Sequence, residues 1–267
     1  MDLGIADATA VVTGGSKGMG RAVAEILAAD GARVAVMARG KASVDDTVST
    51  LGDLGSPDAL GIPVDMTDPV SIEAGFRVVA DRWGELNILV HTIGPGAARF
   101  EELDDSGWDD AFTLGTMSAV RSVRAALPLL RTAEWGRIAI FSAHSIQRQS
   151  PMLVAYTASK AAVTSLAKNL SKTLAADGIL VNAVCPGSIV TASFKENLKE
   201  IFAAEGLDPG DPHDVMTWID RTFHQPADLG RAGLPDEVAS LTAYLVSRRN
   251  GYVTGACVNA DGGSDFV

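Results

Sequence analysis

Residues Thr9-Ala10-Val11-Val12-Thr13-Gly14-Gly15-Ser16-Lys17-Gly18-Met19-Gly20 decide the fold. Thr9 to Thr13 is a short β-branched run and reads as a buried strand. It runs straight into a glycine-rich turn, and Val23, Ile26 and Leu27 then mark one face of a helix ending near Gly31. Strand, glycine turn and helix in this order make a phosphate site. Glycines let the backbone approach a pyrophosphate, and the helix N-terminus offers unpaired N–H groups and a favourable dipole. A tight turn without a ligand is the plainer reading, and three glycines in this register argue against it.

Working outward, the alternation continues. Arg33 to Met37 reads as a second strand and Ala59 to Val64 as a third, ending at Asp65. Pro69 to Trp83 reads as a helix, Leu86 to His91 as a fourth strand and Asp109 to Leu130 as a long helix. Arg137 to Phe141 is the fifth strand, Tyr156 to Leu174 a helix, and Ile179 to Val184 the sixth strand. Pro235 to Ser247 is a helix and Ala256 to Asn259 a last strand. Strands and helices taking turns predict an α/β fold, a doubly wound parallel sheet of Rossmann type covered on both faces. With no internal repeat, low-complexity tract or linker, one domain over residues 1–267 suffices.

Composition sets outer limits. A net charge of −11 and the lack of any Lys/Arg run argue against a nucleic-acid partner. No apolar run is long enough to span a bilayer, and no basic-then-apolar leader is seen, so the cytoplasm is the expected location. Cys185 and Cys257 read as small core residues in a reducing compartment. The histidines His91, His144, His213 and His224 form no zinc motif, and no metal is expected.

Two further stretches carry chemistry. The second strand ends Met37-Ala38-Arg39, where an acid would bind ribose hydroxyls and a base would accommodate a 2′-phosphate. Arg39, with Lys17 inside the glycine turn, favours NADP(H) over NAD(H) and predicts a lower Michaelis constant for NADPH than for NADH. Tyr156 and Lys160 sit one turn apart on one helix face. Such a pair also describes a ring packed beside a solvated lysine. Beside a carbonyl, however, an ammonium that lowers a phenol pKa from about 10 gives a proton donor and acceptor.

Over essentially its full length the chain resembles the classical short-chain dehydrogenases/reductases. The resemblance rests on Thr13 to Gly20, Asp65, Tyr156-Thr157-Ala158-Ser159-Lys160, Asn182, Pro186-Gly187 and Asp261-Gly262-Gly263, in matching order and separation. It implies that Gly14, Ser16, Lys17, Gly18, Met19 and Gly20 cradle the cofactor, and that Asp65 contacts the adenine. It implies that Gly94 lets the backbone pass close to the cofactor, and that Pro186, Gly187, Ile189 and Thr191 line the nicotinamide. Tyr156 is then the acid–base, and Lys160 binds the nicotinamide ribose and holds the phenol acidic. Three departures stand out. His91-Thr92-Ile93-Gly94 replaces Asn-Asn-Ala-Gly, Gly115 falls where the family has an asparagine, and Ala143 falls where it has the catalytic serine. Ser142 is adjacent and should face the other way, whereas Ser145 can share the face of position 143, so Ser145 is the candidate. His91 and His144 are read as structural residues.

The segment 192–230 is the least family-like. Phe194, Leu198, Ile201 and Phe202, then Met216, Trp218, Ile219 and Phe223, recur at helical spacing. They predict either a mobile lid with an apolar wall or two helices packing on their own domain. The expected activity is NADP(H)-dependent interconversion of a ketone and a secondary alcohol. The expected partner is a small carbonyl or alcohol substrate with an apolar portion, and the expected assembly is a homotetramer or homodimer. The alternative is a catalytically weakened dinucleotide-binding sensor or scaffold. A third idea, reduction of carrier-bound acyl chains, would need a basic patch, for which Arg121, Arg124 and Arg131 are the candidates.

Overall fold

Seven strands form one parallel sheet in the order β3-β2-β1-β4-β5-β6-β7. This computed structural model describes residues 2–224 and 226–264. The strands are β1 (Thr9–Thr13), β2 (Arg33–Ala38), β3 (Ala59–Pro63), β4 (Ile88–His91), β5 (Gly136–Phe141), β6 (Ile179–Pro186) and β7 (Cys257–Ala260). The helices are α1 (Gly18–Ala29), α2 (Lys41–Asp53), α3 (Pro69–Trp83), α4 (Asp105–Phe112), α5 (Ser118–Thr132), α6 (Val154–Thr173), α7 (Ala192–Ala204), α8 (Pro212–Phe223) and α9 (Pro235–Leu245).

Successive side chains of a strand point to opposite faces, so each strand feeds two cores. Val12 of β1 packs with Val34, Val36 and Val90 against α1 and α9, through Val23, Leu27, Val238 and Ala239. Its neighbour Val11 packs with Met37, Leu89 and Ile140 against α3, α5 and α6, through Phe76, Val123 and Val163. The order reverses between β1 and β4, because the chain builds β2 and β3 outward and then crosses back. That reversal opens a crevice at the carboxyl ends of β1 and β4, where such sheets bind ligands.

The predicted architecture is the observed one, with local differences that have physical causes. Helix α3 coincides with its predicted span because both ends are signalled: Asp68 accepts from the N–H groups of Val70 and Ser71, Pro69 opens the first turn, and Gly84 closes it at φ 73°. Helix α2 was not anticipated, although Val44, Val48 and Leu51 recur at helical spacing. The long helix predicted from Asp109 to Leu130 begins earlier and runs later, and it is interrupted. Residues Thr113–Met117 form a π-helical turn between α4 and α5. There the N–H of Ser118 bonds the carbonyl of Thr113, five residues back. Such bulges occur mostly at functional sites.

Candidate active site

The crevice is a cleft of about 760 Å³. Ten predicted positions line it: Gly14, Ser16, Lys17, Gly18, Met19, Gly20, Arg39, Asp65, Gly94 and Thr191. Hydrogen bonds fix its floor: the Gly14 N–H donates to Met37 O at 2.8 Å, and the Thr92 hydroxyl donates to Thr13 O at 2.8 Å. These bonds tie the glycine turn to the ends of both neighbouring strands.

At one end of the cleft, Arg39 and Lys17 share the wall with Ser16, Gly40 and Ser43. Ser43 comes from α2, the helix the sequence reading missed. That helix starts at an N-cap glycine, Gly40, with no side-chain cap, so its first-turn N–H groups have no side-chain acceptor. The Ser43 and Ser16 hydroxyls are 3.4 Å apart. A cation, two hydroxyls and a helix N-terminus at one spot suit a phosphate. Asp65 lines the wall beside them, and its carboxylate lies below the usual range because the N–H and hydroxyl of Thr67 donate to it, with Arg39 adding.

At the other end the cleft meets the Tyr156–Lys160 pair. A Cβ at Gly94 would lie 3.0 Å from Lys160 Cε and 3.5 Å from Tyr156 Cε2, so it would press on the lysine. Lys160 is buried, with Nζ donating to Ile93 O at 2.7 Å and to Phe141 O at 2.6 Å. The Lys160 nitrogen lies 5.9 Å from the Tyr156 ring centroid. Without a cofactor, burial acts on both groups. Burial pushes Tyr156 up to about 12, with Cys185 adding, and pushes Lys160 down to about 7. In both groups the cost of taking the charge out of water is the largest cause.

The serines separate as their strand positions require. Ser142 turns away from the cleft, donating to Lys160 O at 3.0 Å with Thr164 Oγ1 at 2.7 Å, and so braces the lysine from behind. Ser145 is buried in a 3₁₀ turn, His144–Ile146, and its Oγ accepts from Thr157 Oγ1 at 3.0 Å, next to Tyr156. His144 Nδ1 donates to Pro186 O at 3.1 Å, which pins this turn to the end of β6. Gly115 faces the same region. A Cβ there would run into Ser159 Oγ and lie 2.9 Å from Ser159 Cβ and 3.0 Å from Pro95 Cδ. The space an asparagine would use is therefore filled.

Pro186 and Gly187 close β6, with the Gly187 N–H donating to Ala260 O at 3.0 Å, and neither forms part of the cleft wall. Ile189 bridges to Gly233 and borders a separate cavity of about 530 Å³. Of that predicted quartet only Thr191 reaches the cleft, where it also caps α7 by accepting from the Phe194 N–H. The two cysteines are not both core residues. Cys185 is buried and Cys257 exposed, because β7 is the sheet edge, and their sulfurs are 2.8 Å apart. Sequence reasoning also missed Thr92, Ile93, Leu114 and Thr67 in the wall. Their backbone positions at strand ends and in the π turn leave no signature in residue type.

Helices α7 and α8 pack their aromatic residues against one another. The Phe202–Trp218 ring centroids lie 5.3 Å apart, Trp218–Phe223 5.4 Å, and Phe194–Phe202 6.0 Å. Val190, Val215, Met216 and Ile219 complete a small separate core. Among the described residues of this segment only Ser193 lines the cleft. Among the described residues no helix is long and apolar enough to cross a membrane.

The site fits a dinucleotide on its own geometry. It offers a long cleft, the α1 N-terminus whose N-cap Lys17 makes no side-chain cap bond, and a passage at Gly94 that a Cβ would narrow. A family model described as enoyl-(acyl carrier protein) reductase matches residues 14–265. A protein named as a monensin polyketide synthase ketoacyl reductase from Streptomyces virginiae is 36% identical over 95% of each chain. D-beta-hydroxybutyrate dehydrogenase of Rhizobium meliloti is 31% identical over 96% of this chain and 97% of its own. The structure of L-sorbose reductase from Gluconobacter frateurii, complexed with NADPH and L-sorbose, superposes with a TM-score of 0.92 at 29% identity, covering 99% of this chain and 98% of that one. On these matches and this geometry, the chain belongs to the short-chain dehydrogenase/reductase family of oxidoreductases.

Proposed function

We propose that the chain is an NADP(H)-dependent reductase that converts a small ketone to a secondary alcohol, with Tyr156 as proton donor. The observation that carries this is Tyr156 and the buried Lys160 meeting the dinucleotide cleft at Gly94. Arg39, Ser16, Ser43 and the start of α2 would take the 2′-phosphate, the glycine turn and α1 the pyrophosphate, and Thr191 the nicotinamide end. When bound, the nicotinamide supplies the hydride; the protein supplies placement and the proton.

The phenol suits the donor role. Pushed up to about 12, it stays protonated at any physiological pH, as a donor must be. An alkoxide is a far stronger base than a phenolate, so transfer from Tyr156 to the nascent alkoxide is downhill even from so weak an acid. Ser145 would hold the carbonyl oxygen toward the phenol, and Lys160 would hold the ribose beside it. We further propose a cytoplasmic homotetramer or homodimer, assembled through α5 and α6, and a substrate whose apolar part faces the lid.

A second reading, reduction of carrier-bound ketoacyl chains, is favoured by the names of several relatives, such as the rhamnolipid-pathway 3-oxoacyl-[acyl-carrier-protein] reductase of Pseudomonas aeruginosa at 32% identity. Against it, Arg121 donates to Thr67 O and Arg131 pairs with Asp177, so the basic cluster is partly used internally. NADPH consumption against a panel of free ketones and carrier-bound ketoacyl groups tests both, with Tyr156→Phe as control. Turnover on free ketones that the substitution abolishes supports the first reading. Turnover confined to carrier-bound substrates supports the second. Tight NADPH binding with no turnover anywhere points to the sensor or scaffold.

A further inference from the structure

The π turn at Thr113–Met117 needs an explanation, because an α-helix would be more regular. With the Ser118 N–H bonded to Thr113 O, the Leu114 carbonyl loses the partner it would have had four residues on. The Ser118 hydroxyl takes that place and donates to Leu114 O. A hydroxyl has one proton, so Ser118 Oγ can only accept from His91 Nε2, which lies 3.0 Å away. His91 Nε2 therefore carries the ring proton, and Nδ1 must accept. Its partner is the Thr13 hydroxyl at 2.8 Å. The bonds run in one direction: Thr13 to His91, His91 to Ser118, Ser118 to the Leu114 carbonyl. All three side chains are fully buried.

The two ends of this chain of bonds lie in the proposed machinery. Thr13 immediately precedes the glycine turn. The π turn packs Gly115 against Ser159, and Thr116 Oγ1 donates to Ser159 O at 3.1 Å. Ser159 lies between Tyr156 and Lys160 on α6, and its hydroxyl donates to Tyr156 O at 2.8 Å. Leu114 also lines the cleft.

We infer that His91 is a positioning residue, resting on the reductase reading above. Held as the Nε2–H tautomer between Thr13 and Ser118, it fixes the π turn that seats the Tyr156–Lys160 helix against the cofactor cleft. Fully buried and outside the cleft wall, it works through Ser118 and Ser159. The imidazole stays neutral, because burial and the nearby Lys160 push it down to about 3. A doubly protonated ring would donate at Nδ1 and turn the Thr13 hydroxyl to Val90 O, at the longer distance of 3.5 Å, reversing that end of the series.

The test uses the full chain with Ser118→Ala, His91→Leu and the pair together. Nitrogen-15 NMR of the native histidines is expected to show His91 as the neutral Nε2–H tautomer. A crystal structure of Ser118→Ala is expected to show the π turn relaxed and Leu114 and Gly115 displaced. Each single substitution is expected to lower kcat about tenfold, with the NADPH Kd, read by fluorescence titration, changed less than about threefold. The double variant is expected to lose no more than either single one, because both break one series of bonds. An Nδ1–H tautomer, an unmoved turn in Ser118→Ala, or additive losses would overturn the inference. If the native protein reduces no ketone, the NMR and crystallographic results still decide it. The expected tautomer and a displaced Ser159–Tyr156 segment would uphold the positioning role while the reductase reading fails.

Discussion

The dinucleotide cleft and the lid are built on opposite plans. The cleft is formed by backbone at strand ends, braced by hydrogen bonds to three neighbouring strands and rooted in the two sheet cores. The lid is a pair of amphipathic helices with a private aromatic core, Phe194, Phe202, Trp218 and Phe223. A region whose contacts are mostly internal can move as one body, as closing segments must. On the proposed reading, the cleft would set the chemistry and the cofactor, and α7 and α8 would set access and selectivity. Changes in the cleft should therefore act on kcat and cofactor choice, and changes in the lid on KM.

The largest effect that sharpens this division is at the phenol. Tyr156→Phe is expected to lower kcat by about a thousandfold while NADPH still binds, measured by steady-state kinetics beside fluorescence titration. A loss confined to KM would erase the distinction. Next is the phosphate end: Arg39→Asp is expected to raise the Michaelis constant for NADPH by roughly thirtyfold and to improve NADH, since a charged pairing of this kind is worth about 2 kcal/mol. An unchanged cofactor ratio would remove Arg39 from the site.

On the other side, Trp218→Ala opens a cavity in the lid core. It is expected to raise KM for the ketone by about tenfold and to speed amide exchange in α7 and α8, with β1 and β4 still protected. Exchange that rises equally in the sheet would show that the lid is part of one cooperative unit. Smaller still is Gly115→Asn. Restoring the family residue is expected to cost about 1–3 kcal/mol of stability by overpacking Ser159 and Pro95, and to bring no gain in kcat. A faster enzyme would mean that the region yields easily.

The least effect is in pH dependence. Lys160 has its pKa lowered on folding, from 10.5 to about 7. Between those values the unfolded chain binds more protons, so stability rises with pH. The melting temperature is expected to climb from about pH 7 toward about pH 10, and less steeply in Lys160→Met. Above that range Tyr156, raised to about 12, opposes the gain, because the unfolded phenol ionises first.

How much of this could be read beforehand divides along the same line. The glycine turn, β1, α3 and the Tyr156–Lys160 pair were legible because each has a local signal: β-branched run, glycine, proline and cap, or helical spacing. The wall residues Thr92, Ile93 and Leu114 were not, because they contribute through backbone position at strand ends or in the π turn. That turn itself depends on His91, distant in sequence from Ser118 and brought to it only by the fold. Helix α2 and its Ser43 were legible in principle, since Val44, Val48 and Leu51 mark one face. The burial that pushes the Tyr156 phenol up was not legible, because pairing is visible in a sequence and burial is not. Pro186, Gly187 and Ile189 follow a strand end, yet only folding shows that Ile189 turns toward Gly233.

The most direct measurement is a crystal structure with NADPH and a ketone that is turned over slowly. The account predicts the ketone oxygen about 2.6–3.2 Å from Tyr156 Oη, with Ser145 Oγ as its second partner and the 2′-phosphate against Arg39. A ketone oxygen held by other groups, with Tyr156 out of hydrogen-bonding reach, would contradict it.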